Sequence, residues 1–261
     1  MTIIPHSLTR AVKNATEVSP LLQDPAALRA HSRPQLRRYE ISTLAPNGDI
    51  VDSTHIAPAL PLFENAFCAF TRRSMVETDC GPVAVEDLLP GDMILTRDGQ
   101  AERLTWKGCT TIVPGRPDAR GRYHRLIRIL ADSFGMQTPM SDVLIGPSAR
   151  LLKTPIHLRT LAGGNPLLTS VQEFVDGMNV IETAPPTAVQ VYHLMLPRHA
   201  VIRVGGLEFE TYHPGANAFR TTSPAMREIF LTLFPHLRDL HAFGPQAFAR
   251  TGDGEINAIA S

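Results

Sequence analysis

The side chains with the greatest intrinsic reactivity are three cysteines, Cys68, Cys80 and Cys109, and a run of histidines, His193, His199 and His213. A thiolate is a strong nucleophile near neutral pH, and an imidazole can protonate an amine so that it leaves. Each group also has a plainer reading. Cys68 reads as a partly buried structural thiol, and Cys80 and Cys109 as free thiols rather than a bridge. His193 and His199 sit in an apolar strand region where a hydrogen-bonded structural histidine is usual. With His213 they could approach one another, but no Cys/His/Asp spacing has the form of a metal site. No metal and no cofactor are expected. Arg72-Arg73 reads as a solvated charge pair. Gly163-Gly164 and Gly205-Gly206 read as turn glycines, since neither a phosphate-binding loop nor a Gly-x-Ser-x-Gly elbow is present.

The 261 residues are 43% hydrophobic and 19% charged, with 25 basic against 25 acidic side chains. That balance argues against nucleic acid as a partner, because such binders carry a basic excess. No apolar run approaches the roughly 20 residues of a membrane span, and residues 1–30 lack the apolar core of a secretory signal. Three cysteines do not make a disulfide framework. A cytoplasmic location is the default, and export by a C-terminal signal is compatible with the same composition. The 22 prolines and many short β-branched runs favour strands and turns.

The sequence divides into an N-terminal arm (1–35), a β-hairpin with a β domain (36–215) and a C-terminal helical extension and tail (216–261). Tyr39–Leu44 and Ile50–Ile56 flank Pro46-Asn47-Gly48-Asp49, a hairpin turn in which Asn-Gly tolerates positive φ. Short strands are predicted at 75–76, 83–85, 93–96, 103–106, 126–130, 143–145, 149–152, 189–194, 200–204 and 207–211. Ser223-Pro224 reads as an N-cap and first-turn proline. Met226, Ile229, Phe230 and Leu233 then recur at helical spacing until Pro235 stops the helix. This 223–234 face either packs back on the domain or docks a protein partner. Residues 251–261 read as a loose tail. A weak internal echo relates Val85-Glu86-Asp87-Leu88 and Gly91 to Val171-Gln172-Glu173-Phe174 and Gly177.

The segment Val83–Gly99, with Val85-Glu86-Asp87-Leu88 and Pro90-Gly91-Asp92 at its centre and Trp106-Lys107-Gly108 beyond, resembles the Hint domains of hedgehog proteins and inteins. It is most similar to a bacterial subgroup reading VEDL-x-PGD-x-V-x-T-x-D-x-G … W-x-G. Asp142–Leu152 supplies a second matching block, and Val191-Tyr192-His193-Leu194 through His199 to Gly205-Gly206-Leu207 a third. The resemblance covers about residues 65–215. It implies an all-β, pseudo-twofold horseshoe of short, curved, mostly antiparallel strands, here with a C-terminal helix. Active members cleave their own backbone: a leading cysteine converts the preceding amide to a thioester, and a histidine of the second block assists departure of the nitrogen.

The resemblance also implies that this chain lacks those groups. Active members of the subgroup read C-F-T-P-G-T, and counting back without gaps from Val85 puts Ala69 at the nucleophile position, with Phe70-Thr71 on the Phe-Thr. Cys68 stands one residue early, and one step turns a strand side chain to the opposite face. The second block, S-P-x-H-R-x-L in active members, is Gly146-Pro147-Ser148-Ala149-Arg150-Leu151-Leu152, so Ala149 holds the histidine position. Thr211-Tyr212-His213-Pro214-Gly215 contains no asparagine for cyclisation. The expectation is a degenerate, non-cleaving domain with no catalytic residue, serving as a binding or structural module. The alternative is cysteine-dependent autoprocessing through Cys68.

Overall fold

The computed structural model describes residues 35–115, 125–160 and 162–252. The arm expected over residues 1–35, except Gln35, and the tail beyond Gly252 lie outside the described residues. Sixteen strands and few helices make up what is described, and the all-β expectation holds. β1 (Leu36–Leu44) and β2 (Ile50–Pro58) form the antiparallel hairpin. Its turn is closed by the Asn47 side chain, which accepts from the Asp49 amide, and Gly48 has φ of 89°.

The first sheet adds β3 (Phe70–Thr71), β8 (Trp106–Ile112), β9 (Leu126–Ile129), β10 (Val143–Ile145), β13 (Val180–Thr183) and β14 (Val189–Met195). Its order is β13–β9–β10–β3–β14–β8–β1–β2. The second sheet contains β4 (Met75–Thr78), β5 (Gly81–Ala84), β6 (Met93–Leu95) and β7 (Ala101–Arg103), then β11 (Arg150–Leu152), β12 (Leu168–Ser170), β15 (Val201–Val204) and β16 (Leu207–Glu210). Its order is β12–β11–β16–β15–β4–β6–β7, with β5 on β4. The paired strands in both sheets run antiparallel.

The strand predicted at 103–106 is corrected. β7 ends at Arg103 and β8 starts at Trp106, because the chain changes sheets between them. Leu104 turns into the core, and the Thr105 amide donates to the Met195 carbonyl at 3.0 Å. The internal echo has a backbone counterpart. Val85 and Val171 are both fully buried, and each donates its amide to the residue that precedes a strand, Ser74 before β4 and Ala149 before β11. Gly91 and Gly177 both take positive φ.

Two apolar clusters dominate. One draws on both sheets and includes Ala69, Phe70, Ile94, Ala149, Leu151 and Phe209. The other surrounds Trp106 and contains Tyr39, Phe67, Phe230, Phe234 and Phe243. It ties the chain after residue 215 to the first sheet: Phe234 stacks on Trp106 with ring centroids 4.8 Å apart, and the indole N–H donates to the Leu233 carbonyl at 2.8 Å. α1 (Pro61–Glu64) and α2 (Pro224–Leu231) flank this cluster.

α2 begins as read, with Pro224 in its first turn and the Ser223 side chain accepting from the Met226 amide. It is shorter than predicted: Leu233 and Phe234 belong to the turn that follows. Phe230, Leu233 and Phe234 are fully buried, so the apolar face packs back on the domain, whereas Ile229 stays 36% exposed and lies off that face. The loose tail read from 251 is corrected at its start. Thr251 is buried, and the chain there pairs in parallel with β12 through Leu168 and Arg250.

Phe234→Ala removes the ring that joins Trp106 to the C-terminal segment. It should cost about 3–5 kcal/mol, read by urea unfolding with the fluorescence of Trp106, the one tryptophan of the sequence. A loss well below 1 kcal/mol would mean that this packing is dispensable.

Candidate functional site

The second and third sequence blocks meet at β3. The Ala69 amide donates to the Tyr192 carbonyl of β14 at 3.0 Å, and the Ala69 carbonyl accepts from the Gly146 amide at 2.8 Å. The Cys68 carbonyl accepts from the Ser148 amide at 3.1 Å. Residues 68 and 69 are thus clamped between β14 and the 146–148 turn. The clamp requires glycine at 146, since a Cβ there would stand 2.0 Å from the Cys68 carbonyl oxygen and 2.7 Å from its carbon. No side chain fits in that space without moving backbone.

Ala69 and Ala149 are both buried in the apolar cluster shared by the two sheets. Cys68 belongs to another cluster, with Ile112, Leu126 and Val191. Its residue is 1% exposed, more enclosed than the partly buried thiol read from sequence. Burial, then the Glu64 carboxylate, push this thiol far above the ordinary cysteine range, against a smaller opposing effect of Arg37. A thiolate at this position is therefore strongly disfavoured. Cys109 is also buried, its thiol pushed up to about 11 by desolvation and then by Glu40. Cys80 is exposed, and no two of the three cysteines are bridged. Arg72 is exposed and lies 3.5 Å from Glu86. Gly163, Gly164, Gly205 and Gly206 all take the positive φ expected of turns.

The polar groups converge elsewhere, in a cleft of about 600 Å³ reached by Ser148, Arg150, His193, Glu210, His213 and Arg250. Glu210 is its hub. This carboxylate is 4% exposed and closes the last position of β16. It accepts from Arg250 Nε at 3.0 Å, lies 3.3 Å from His199 Nε2, and lies 3.6 Å from Arg150 Nε. Burial raises its pKa, but Arg250, His199 and Arg150 outweigh burial, and the net shift is downward, so it is ionised.

Arg250 reaches the hub because residues 249–251 are laid against β12. The Leu168 amide donates to the Ala249 carbonyl, and the Thr251 amide donates to the Leu168 carbonyl. The Thr251 hydroxyl donates to Glu173, and Arg250 also donates to the His213 carbonyl.

The three histidines do come together, around this carboxylate. The His199 and His213 rings lie 5.2 Å apart, and His193 packs edge-on against Tyr212. Burial pushes His193 down to about 3 and His213 down to about 4, so both are neutral at pH 7. His199 Nδ1 accepts from the Ala247 amide and His213 Nδ1 from the Gly215 amide. Among the described residues no group of three or more His, Cys, Asp or Glu side chains could hold a metal ion.

Arg150, Glu210 and Arg250 were not singled out from the sequence. Arg150 lies next to the predicted Ala149 position, and Glu210 stands in the alternating Leu207-Glu208-Phe209-Glu210 strand. Arg250 had no local signal, since its position depends on a segment returning to β12.

A sequence model of the Hint domain family matches residues 68–216, more than half of the chain. The chain belongs to the Hint domain family. Several solved structures of that kind are similar to it. The solution structure of a bacterial intein-like domain from Clostridium thermocellum is 11% identical, with 56% of this chain and 99% of that one covered and a TM-score of 0.39. A splice-inactive AceL NrdHF class 3 split intein is 13% identical over 55% of this chain and 96% of its own, with a TM-score of 0.37. The MchDnaB-1 intein (an N145AA form) is 12% identical over 55% and 100%, with a TM-score of 0.34. A comparison with curated proteins gives no match.

Burial of neutral imidazoles makes the fold acid-sensitive. In the unfolded chain an imidazole protonates near pH 6.5, whereas the folded His193 resists to about 3 and His213 to about 4. The unfolded state therefore binds more protons in this window, so stability is fully present above about pH 6.5 and lost as pH falls towards 4. The slope should reach up to about 1.4 kcal/mol per pH unit for each imidazole. Urea unfolding at pH 7, 5.5 and 4 measures it, and a flat profile contradicts the neutral assignment.

Proposed function

We propose that this Hint domain does not cleave its own chain and acts as a binding module whose ligand occupies the polar cleft around Glu210. The observation that carries the reading is the seat of Cys68. Its thiol is buried among Ile112, Leu126 and Val191, with its pKa pushed far up by desolvation. A thiol that does not ionise is a poor nucleophile, and cleavage after Phe67 would need it to attack the Phe67 carbonyl.

Three further features favour the same reading. Ala69 and Ala149, the positions that match the nucleophile and the assisting histidine of active members, are buried methyl groups that can neither attack nor donate a proton. Gly146 stands where active members carry the serine of S-P-x-H. The close approach of the Cys68 carbonyl fills the space a side chain would need there. The cleft, in contrast, keeps ionised and hydrogen-bonding groups at its wall, which is what a binding site requires.

Incubation of the purified protein with a small thiol or with hydroxylamine, followed by intact mass measurement, tests this. The expected result is a single species at full mass. Breakage beside residue 67, 68 or 69 would overturn it, and loss of that breakage in Cys68→Ala would establish autoprocessing through Cys68 instead.

A further inference from the structure

We propose that the free edge of β2 joins two copies of this chain, which pair antiparallel about a two-fold axis at Ser53 and continue the first sheet from one copy into the other. The pairing is independent of what the cleft binds.

β2 is the last strand of its sheet, and among the described residues nothing pairs with its far side. Its nine residues pair with β1 without a bulge, from Ile50 opposite Leu44 to Pro58 opposite Leu36. An edge of this length offers unpaired N–H and C=O groups as a template for another strand, and edges that must stay single are blunted by bulges, lysines or an internal proline. β2 has no bulge and no lysine, and its one proline is its last residue. Its apolar side chains stand in solvent instead: Ile50 is 42% exposed, Val51 48% and Ile56 72%.

The backbone selects a second copy and its register. The Leu44 amide donates to the Thr105 carbonyl just ahead of β8, and the Ala45 amide donates to the Asp49 carbonyl. Even-numbered residues of β1 therefore face β8 and odd-numbered ones face β2. In register with them, the odd-numbered residues of β2 bond to β1, and Ile50, Asp52, Thr54 and Ile56 turn their N–H and C=O groups outward. Pro58, next in that row, has no N–H and ends it. A two-fold axis at Ser53 maps the row onto itself, so that Ile50 faces Ile56 of the second copy and Asp52 faces Thr54 of the second copy. The exposed isoleucines then cover each other in two pairs. Each Asp52 carboxylate, which accepts from Ser42 at 2.6 Å, meets a hydroxyl. An axis at Asp52 would oppose two carboxylates, and an axis at Thr54 would set Asp52 against Ile56 and Ile50 against Pro58.

Sedimentation velocity of the full chain tests the pairing. A monomer–dimer equilibrium is expected, with a Kd of about 100 µM or tighter. Thr54→Pro removes an outward donor and leaves the ladder to β1 intact, and it should weaken the dimer about tenfold or more. Ile56→Asp removes both isoleucine pairs and sets each new carboxylate diagonal to Asp52 of the second copy, with a loss of about the same size. It serves as the test if Thr54→Pro fails to fold. In a Cys80→Ser background treated with oxidised glutathione, Ser53→Cys should form a covalent dimer faster than Thr54→Cys, because the residues on the axis stand directly opposite each other. A monomer up to about 500 µM, a dimer whose Kd is unchanged in either variant that folds, or faster cross-linking at 54 than at 53 would overturn it.

Discussion

The buried carboxylate of Glu210 is the constraint around which the polar half of the molecule is organised. At 4% exposure it cannot be left unpaired, and it draws Arg250, His199 and Arg150 from three different segments. Removing one partner of a buried ion pair typically costs about 3–5 kcal/mol, because the other charge is stranded. Glu210 therefore explains why a segment as late as residues 249–251 lies against β12 and why the imidazoles cluster where they do. The cleft is the space left beside this network.

The apolar half depends on Trp106. Its ring stacks on Phe234, and its N–H meets the Leu233 carbonyl, so one side chain of β8 supplies both the packing surface and the hydrogen-bond donor for the C-terminal segment. The same cluster holds Phe67, one residue before the Cys68–Ala69 clamp. Backbone hydrogen bonds from Gly146, Ser148 and Ala69 then complete the crossing of β3 between β10 and β14. These contacts use backbone atoms, and the close approach at 146 leaves no room for a side chain there. A Hint scaffold can thus retain its central crossing with alanines in it.

Much of the strand pattern was legible because its causes are local. The Asn47-Gly48 turn sets the β1–β2 hairpin, alternation marks Val189–Met195 and Val201–Val204, and Ser223-Pro224 starts α2. The errors fall where distant contacts decide. Arg103–Trp106 has the composition of a strand, yet Leu104 and Thr105 form the passage between sheets, a choice made by the core and by Met195. β12 and β13 were missed because Leu168–Ser170 and Val180–Thr183 are short and are extended by pairing with β11 and β9. Ile229 has the spacing of the apolar face, but α2 stops before Leu233 and turns that face elsewhere.

For the site, the order of residues along the chain determined which side chain stands at each position. Positions 69 and 149 carry methyl groups in any fold, because side-chain identity and spacing are covalent facts. Where Cys68 points, whether its thiol can ionise, and which charges meet around Glu210 were decided only by the tertiary structure. Burial and the local field act through space, and Arg150, Glu210 and Arg250 become neighbours only when β11, β16 and the segment after Ala249 are brought together.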